Sequence, residues 1–135
     1  MEDIIDIKQM TRQVVSYLLE KKARNIVIID VENRASYCDR LVVCTGSSAR
    51  QVRALAEHAV VMLKKDHGFL PLGREGRTSG TWVLVDLGSI VLHVFDENGR
   101  TNYDLDGLWI DAPRVSLGQL GLVEDLPEVQ SAPFL

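Results

Sequence analysis

The stretch Trp82-Val83-Leu84-Val85-Asp86-Leu87-Gly88-Ser89-Ile90-Val91-Leu92-His93-Val94-Phe95 decides the fold. Two runs rich in β-branched and apolar residues flank a Gly-Ser pair, the pattern of two strands joined by a tight turn. Glycine first in a two-residue turn supplies the positive φ that a type II′ hairpin needs. That turn sets Leu87 opposite Ile90 and pairs Asp86 with Val91, Leu84 with His93, and Trp82 with Phe95. Side chains alternate between faces along a strand. One face therefore holds Val83, Val85, Leu87, Ile90, Leu92 and Val94, all aliphatic, and the other holds Trp82, Leu84, Asp86, Val91, His93 and Phe95.

The aliphatic face needs apolar partners, and upstream segments offer them. Ile7, Met10, Val14, Tyr17 and Leu18 fall on one helical stripe, which predicts a helix over about residues 4–23. Ser48-Ala49-Arg50-Gln51 has capping-box spacing and opens a second helix. Its stripe is Val52, Leu55, Ala56, Ala59 and Leu63, and Gly68 is the natural stop. Between the helices, Ile26-Val27-Ile28-Ile29 and Leu41-Val42-Val43-Cys44 read as strands buried on both faces or nearly so, with a loop over 32–36. Pro71 to Gly80 reads as an exposed loop. The expected architecture is a single α/β domain, a mixed β-sheet with helices packed on one face.

The chain has 135 residues, 46% of them hydrophobic, enough for one domain with its own core. The domain is expected over 1–113. The remaining 114–135, with scattered apolar residues and Pro127 and Pro133, is expected to be an extended or partly disordered tail. The acidic start Met1-Glu2-Asp3 does not read as a signal peptide, and no apolar run approaches the ~20 residues of a membrane span. Cys38 and Cys44 suggest neither a disulfide framework nor metal-ligand spacing, so a cytoplasmic setting is expected. His58, His67 and His93 are isolated, and neither a metal site nor a cofactor is expected.

The net charge of -4 is unevenly placed. Residues 40–80 carry seven basic and three acidic side chains, whereas 81–135 carry two basic and nine acidic. An acidic protein is a poor free nucleic-acid binder. The acidic half either suits a basic protein partner or simply keeps the chain in solution. The mixed hairpin face leaves a similar choice. Aromatics beside ionisable groups suit the centre of an interface; alternatively a loop or the tail covers this face and Asp86 and His93 form an internal pair.

The same residues resemble a known family. Glu75-Gly76, the hairpin from Trp82 to Phe95, then Arg100, Tyr103, Leu105 and Leu108-Trp109 are similar to the signature of the ribosomal silencing factors, the Iojap-related proteins. Asp39, Thr45-Gly46-Ser47-Ser48 and Gln51-Val52 are similar to that family's other block. The likeness covers about residues 4–113. Cys38, Arg40-Leu41 and Ser89 depart from the family's usual residues, and nothing beyond Leu117 has a recognised counterpart. The resemblance implies a nucleotidyltransferase-like fold and binding to the large ribosomal subunit through its fourteenth ribosomal protein. There the protein would block the small subunit and repress translation when nutrients are short. It also implies homodimers of the free protein.

Joined to the hairpin reading, this gives a partner-binding face of Trp82, Asp86, His93, Phe95, Tyr103, Leu105, Leu108 and Trp109. Two rivals remain. Gly46-Ser47 ahead of a helix is similar to a nucleotidyltransferase's phosphate-holding turn, but no Asp-x-Asp pair follows at short range, and Asp104-x-Asp106 lies far along the chain. A direct RNA binder would use Arg50, Arg53, Lys64, Lys65, Arg74 and Arg77; spaced thus they read as a solvated face, with secondary contact to ribosomal RNA left open.

Overall fold

A computed structural model describes residues 6–123. Helix α1 (Ile7–Glu20) starts at Asp6, whose carboxylate accepts the Gln9 N–H at 2.7 Å, and buries the expected Met10, Val14, Tyr17 and Leu18. It ends short of residue 23 because Lys22 turns into the left-handed region, at φ 66°. Strands β1 (Arg24–Asp30) and β2 (Arg40–Thr45) follow, then helix α2 (Ala49–His67). Ser48 caps α2 by accepting the Gln51 N–H at 3.1 Å. The Gln51 side chain reaches back to Ser47 rather than to Ser48 itself. Gly68 closes the helix at φ 65°.

The hairpin pairs β4 (Trp82–Asp86) with β5 (Ile90–Phe95) in the expected register: Trp82 with Phe95, Leu84 with His93, Asp86 with Val91. Gly88 takes φ 90°, and the Leu87 N–H meets the Ile90 carbonyl at 2.9 Å. With β3 (Gly73–Glu75) and β6 (Arg114–Val115), the sheet has six strands among the described residues, in the order β3-β4-β5-β2-β1-β6. Of its pairings only β2 with β5 is parallel, which makes the sheet mixed. β2 lies inside the sheet and is buried almost throughout, whereas the first half of β1 is open to solvent.

Helices α1 and α2 cover the aliphatic hairpin face, and all six of its side chains are buried. The opposite face receives something shorter. After β5 come helices α3 (Glu97–Tyr103) and α4 (Leu105–Leu108), which sequence periodicity did not reveal because each is too short to show it. Leu105, Trp109 and Ala112 pack there with Val31, Ala35 and Cys38 over Ile29, Val43, Val91 and Phe95. Cys38 belongs to this second cluster and Cys44 to the first, and both thiols are free.

Two segments differ from expectation. Within the Pro71–Gly80 stretch, β3 (Gly73–Glu75) pairs with the outer edge of β4. Backbone pairing needs no β-forming side chains, and the charged Arg74 and Glu75 discourage further strand addition. The domain also runs past residue 113. β6 (Arg114–Val115) joins β1, and a 3₁₀ turn (Gly118–Leu120) buries Leu120 against the first core, where the Arg12 guanidinium donates to the Leu120 carbonyl at 2.9 Å. A strand of two residues has no periodicity to read. The rest of the expected tail, residues 124–135, lies outside the described residues.

Candidate partner-binding face

Where the second face is uncovered, at the β4 side, aromatic rings stack. Trp82 lies 5.1 Å from Phe95 and 4.4 Å from Tyr103, centroid to centroid. Phe95 and His93 form the floor and are buried, Trp82 is half-buried above them, and Tyr103 is 52% exposed on top. The Trp82 indole N–H donates to His93 Nδ1 at 3.0 Å. An indole nitrogen can only donate, so Nδ1 must accept and the imidazole is neutral. Burial pushes the His93 pKa down to about 4, in keeping with that bond.

The internal pair of Asp86 and His93 is not formed. Asp86 instead accepts the Gly88 N–H at 2.9 Å and so closes the hairpin turn, while His93 takes Trp82. Local hydrogen bonding to the turn competes successfully for an aspartate two residues before a glycine.

The structure thus brings Trp82, His93, Phe95 and Tyr103 into one stack, with Leu105 and Trp109 packed in the same cluster. Leu108 stands apart from them, 70% exposed on the outer side of α4. Phe95 and His93 offer no surface to a partner; they support Trp82 and Tyr103 from beneath. Leu84 shares the face and is half-buried, which its alternation with Trp82 and Asp86 already signalled. Ile110 is exposed as well: Leu108-Trp109-Ile110 is a run of three apolar residues on a turn that can bury only one side.

Two arginines hold the α3–α4 segment. The Arg100 guanidinium forks onto Asp106 at 2.8 and 3.0 Å, and also donates to the Asn25 carbonyl at 2.9 Å and Thr45 Oγ1 at 2.8 Å. That fork keeps the Asp106 carboxyl below its usual range despite partial burial. Arg114 donates to the carbonyls of Asp106, Trp109 and Ala112, and so satisfies acceptors left open where a short helix ends. Four carboxylates, Asp96, Glu97, Asp104 and Asp106, lie in or beside this segment.

Among the described residues no helix is long and apolar enough to cross a membrane. The family model described as "Ribosomal silencing factor during starvation" matches residues 4–133, beyond the point where the sequence alone showed a counterpart. The chain is 38% identical over 105 residues to the ribosomal silencing factor RsfS of Chromobacterium violaceum, covering 78% of this chain and 85% of that protein. It is 37% identical over 100 residues to the RsfS of Haemophilus influenzae, 71% of this chain and 97% of that one. A mouse relative, named for mitochondrial assembly of the large ribosomal subunit, is 32% identical over 111 residues. A crystal structure of a Chromobacterium violaceum protein superimposes with a TM-score of 0.76 at 37% identity, covering 83% of this chain and 92% of that one. One from Bacillus halodurans gives 0.71 at 31% identity, over 82% and 99%. The chain belongs to the ribosomal silencing factor family.

Proposed function

We propose that this protein binds the large ribosomal subunit through its fourteenth ribosomal protein, blocks joining of the small subunit by occupying the docking surface, and so represses translation in the cytoplasm under nutrient limitation. The observation that carries the reading is the half-open aromatic face, where Trp82 and Tyr103 stack, with Leu108 exposed farther along on α4. Rigid aromatics with an exposed aliphatic neighbour are the composition of interface anchors. The excess of acidic side chains over 81–135 suits a basic ribosomal protein. The contact residues would be Trp82, Tyr103, Leu108, Leu84 and Asp86, with Leu105 and Trp109 as the packed base of α4.

The protein would act by steric exclusion and not as an enzyme. Of the acidic pair that a nucleotidyltransferase reading would recruit, Asp106 already spends both oxygens on Arg100. The cation facing it is thus a guanidinium supplied by the chain itself. Self-association of the free protein through the same exposed face would bury it until the ribosome competes.

Purified protein added to dissociated subunits before magnesium is restored should lower the joined fraction, and Tyr103→Ala should relieve that block. Unchanged joining at saturating protein would remove the reading. Magnesium-dependent incorporation of labelled nucleotide that disappears in Asp104→Ala would favour the enzyme instead.

A further inference from the structure

Residues 40–80 hold the chain's positive charge, and the fold gathers part of it at one place. Arg50, Arg53 and Arg77 line a shallow recess with Ala54, Glu57 and Thr78, between the first turns of α2 and the loop from β3 to β4. Gly80 brings that loop close: a Cβ there would sit 2.7 Å from both the Ala49 Cβ and Arg53 Nη1. Arg53 reaches the Thr78 carbonyl at 3.4 Å. The one carboxylate in the recess, Glu57, is taken by Arg74 at 2.7 Å. Among the described residues, Arg50, Arg53 and Arg77 make no ion pair, and all are exposed. Three exposed guanidinium groups that line one recess without a carboxylate partner give it a positive potential, and their forked donors match phosphate oxygens.

The recess lies on the α2 side of the sheet, opposite the aromatic face, and is joined to that face through the chain at the start of β4. Its loop runs through Thr81 directly into Trp82, and the Thr81 carbonyl accepts the Asp96 N–H at 3.0 Å just ahead of α3. A partner assembly seated on Trp82 and Tyr103 and extending around that end of the sheet would bring its neighbouring groups to the arginines. A large ribosomal subunit offers RNA phosphates, the anions whose oxygens forked guanidinium donors match.

We propose that Arg50, Arg53 and Arg77 form a phosphate-binding surface that grips the backbone of ribosomal RNA beside the protein contact. This rests on the large-subunit reading above and adds a second chemistry to it: apolar and acidic groups toward protein, guanidinium groups toward RNA. The contact reads backbone charge, not base sequence.

The test is a salt series with the full chain and isolated large subunits, comparing wild type with Arg50→Gln/Arg77→Gln, a pair whose side chains make no bond within the described fold. Each phosphate that an arginine no longer neutralises should make the dependence of log Kd on log salt shallower by about 0.7–0.9. The double variant should lose between one and two units of slope and about tenfold in affinity at low salt. Against the purified fourteenth ribosomal protein alone it should match the wild type. An unchanged slope on subunits would overturn the inference and leave the large-subunit reading intact. Equal weakening on the isolated protein would overturn it too, because the arginines would then face an acidic protein surface. Absence of binding by the wild type would remove both.

Discussion

The two faces of the β4–β5 hairpin carry the same number of side chains and meet different fates. On one, Val83, Val85, Leu87, Ile90, Leu92 and Val94 lie under α1 and α2, none more than 2% exposed. On the other, Val91, His93 and Phe95 are buried while Trp82, Leu84 and Asp86 remain partly open. Strand alternation assigns each residue to a side, but closure depends on the cover. α2 has 19 residues and α1 has 14; α4 has four, and reaches only the inner part of its face. The uncovered edge is therefore left to aromatic rings, which bury their own area by stacking and still present a surface.

This contrast can be broken most forcefully from beneath. Leu92→Ala on the closed face should cost about 2–5 kcal/mol of stability and leave affinity for large subunits unchanged wherever the variant is folded. Phe95→Ala should cost a similar amount, about 3–5 kcal/mol, because it lies equally deep under the open face. Urea melts at one temperature measure both. A mild Phe95→Ala effect would mean that the aromatic stack carries no structural load.

Acid should act on the open face. His93 is held neutral at a pKa of about 4, below the ordinary histidine value of 6.5. The unfolded chain therefore takes up the extra proton first. Stability contributed by neutral His93 is complete above about pH 6.5 and declines as pH falls toward 4, on the order of 3 kcal/mol in all. His93→Gln should flatten that slope in pH-dependent melts. The tryptophan emission of Trp82 should shift over the same range in the wild type, since its indole partner is the group being protonated.

At the surface the order reverses, with affinity moving and stability holding. Leu108→Ala should weaken large-subunit binding by about tenfold, roughly 1.4 kcal/mol, and change stability by no more than about 0.5 kcal/mol. Trp82→Ala should show both effects together, because Trp82 stacks on Phe95 and bonds His93 while its edge is open. If Leu108→Ala binds normally, α4 is not part of the contact. The smallest effect is expected away from both hairpin faces: Ser48→Ala removes the α2 cap and should lower stability by about 1 kcal/mol in the same urea melts.

How far each feature could be read from the chain depended on its range in sequence. The hairpin register, the division of its side chains between faces, both long helices and the caps at Ser48 and Gly68 were legible, because each is set by residues within a few positions of one another: a glycine at positive φ, a period of two, a period of 3.6, a serine three residues before a free N–H. Family membership was legible for a related reason, since the hairpin and the residues after it keep a characteristic spacing. What covers the second face was not. Its answer rests on Arg100 reaching the Asn25 carbonyl across 75 residues and Thr45 Oγ1 across 55. The same holds for the backbone pairing of β3 and β6 and for the meeting of Arg77 with Arg50 and Arg53. Local rules determine which way a side chain points; only the assembled structure decides what it finds there, because contacts between distant segments compete for the same donors, acceptors and space.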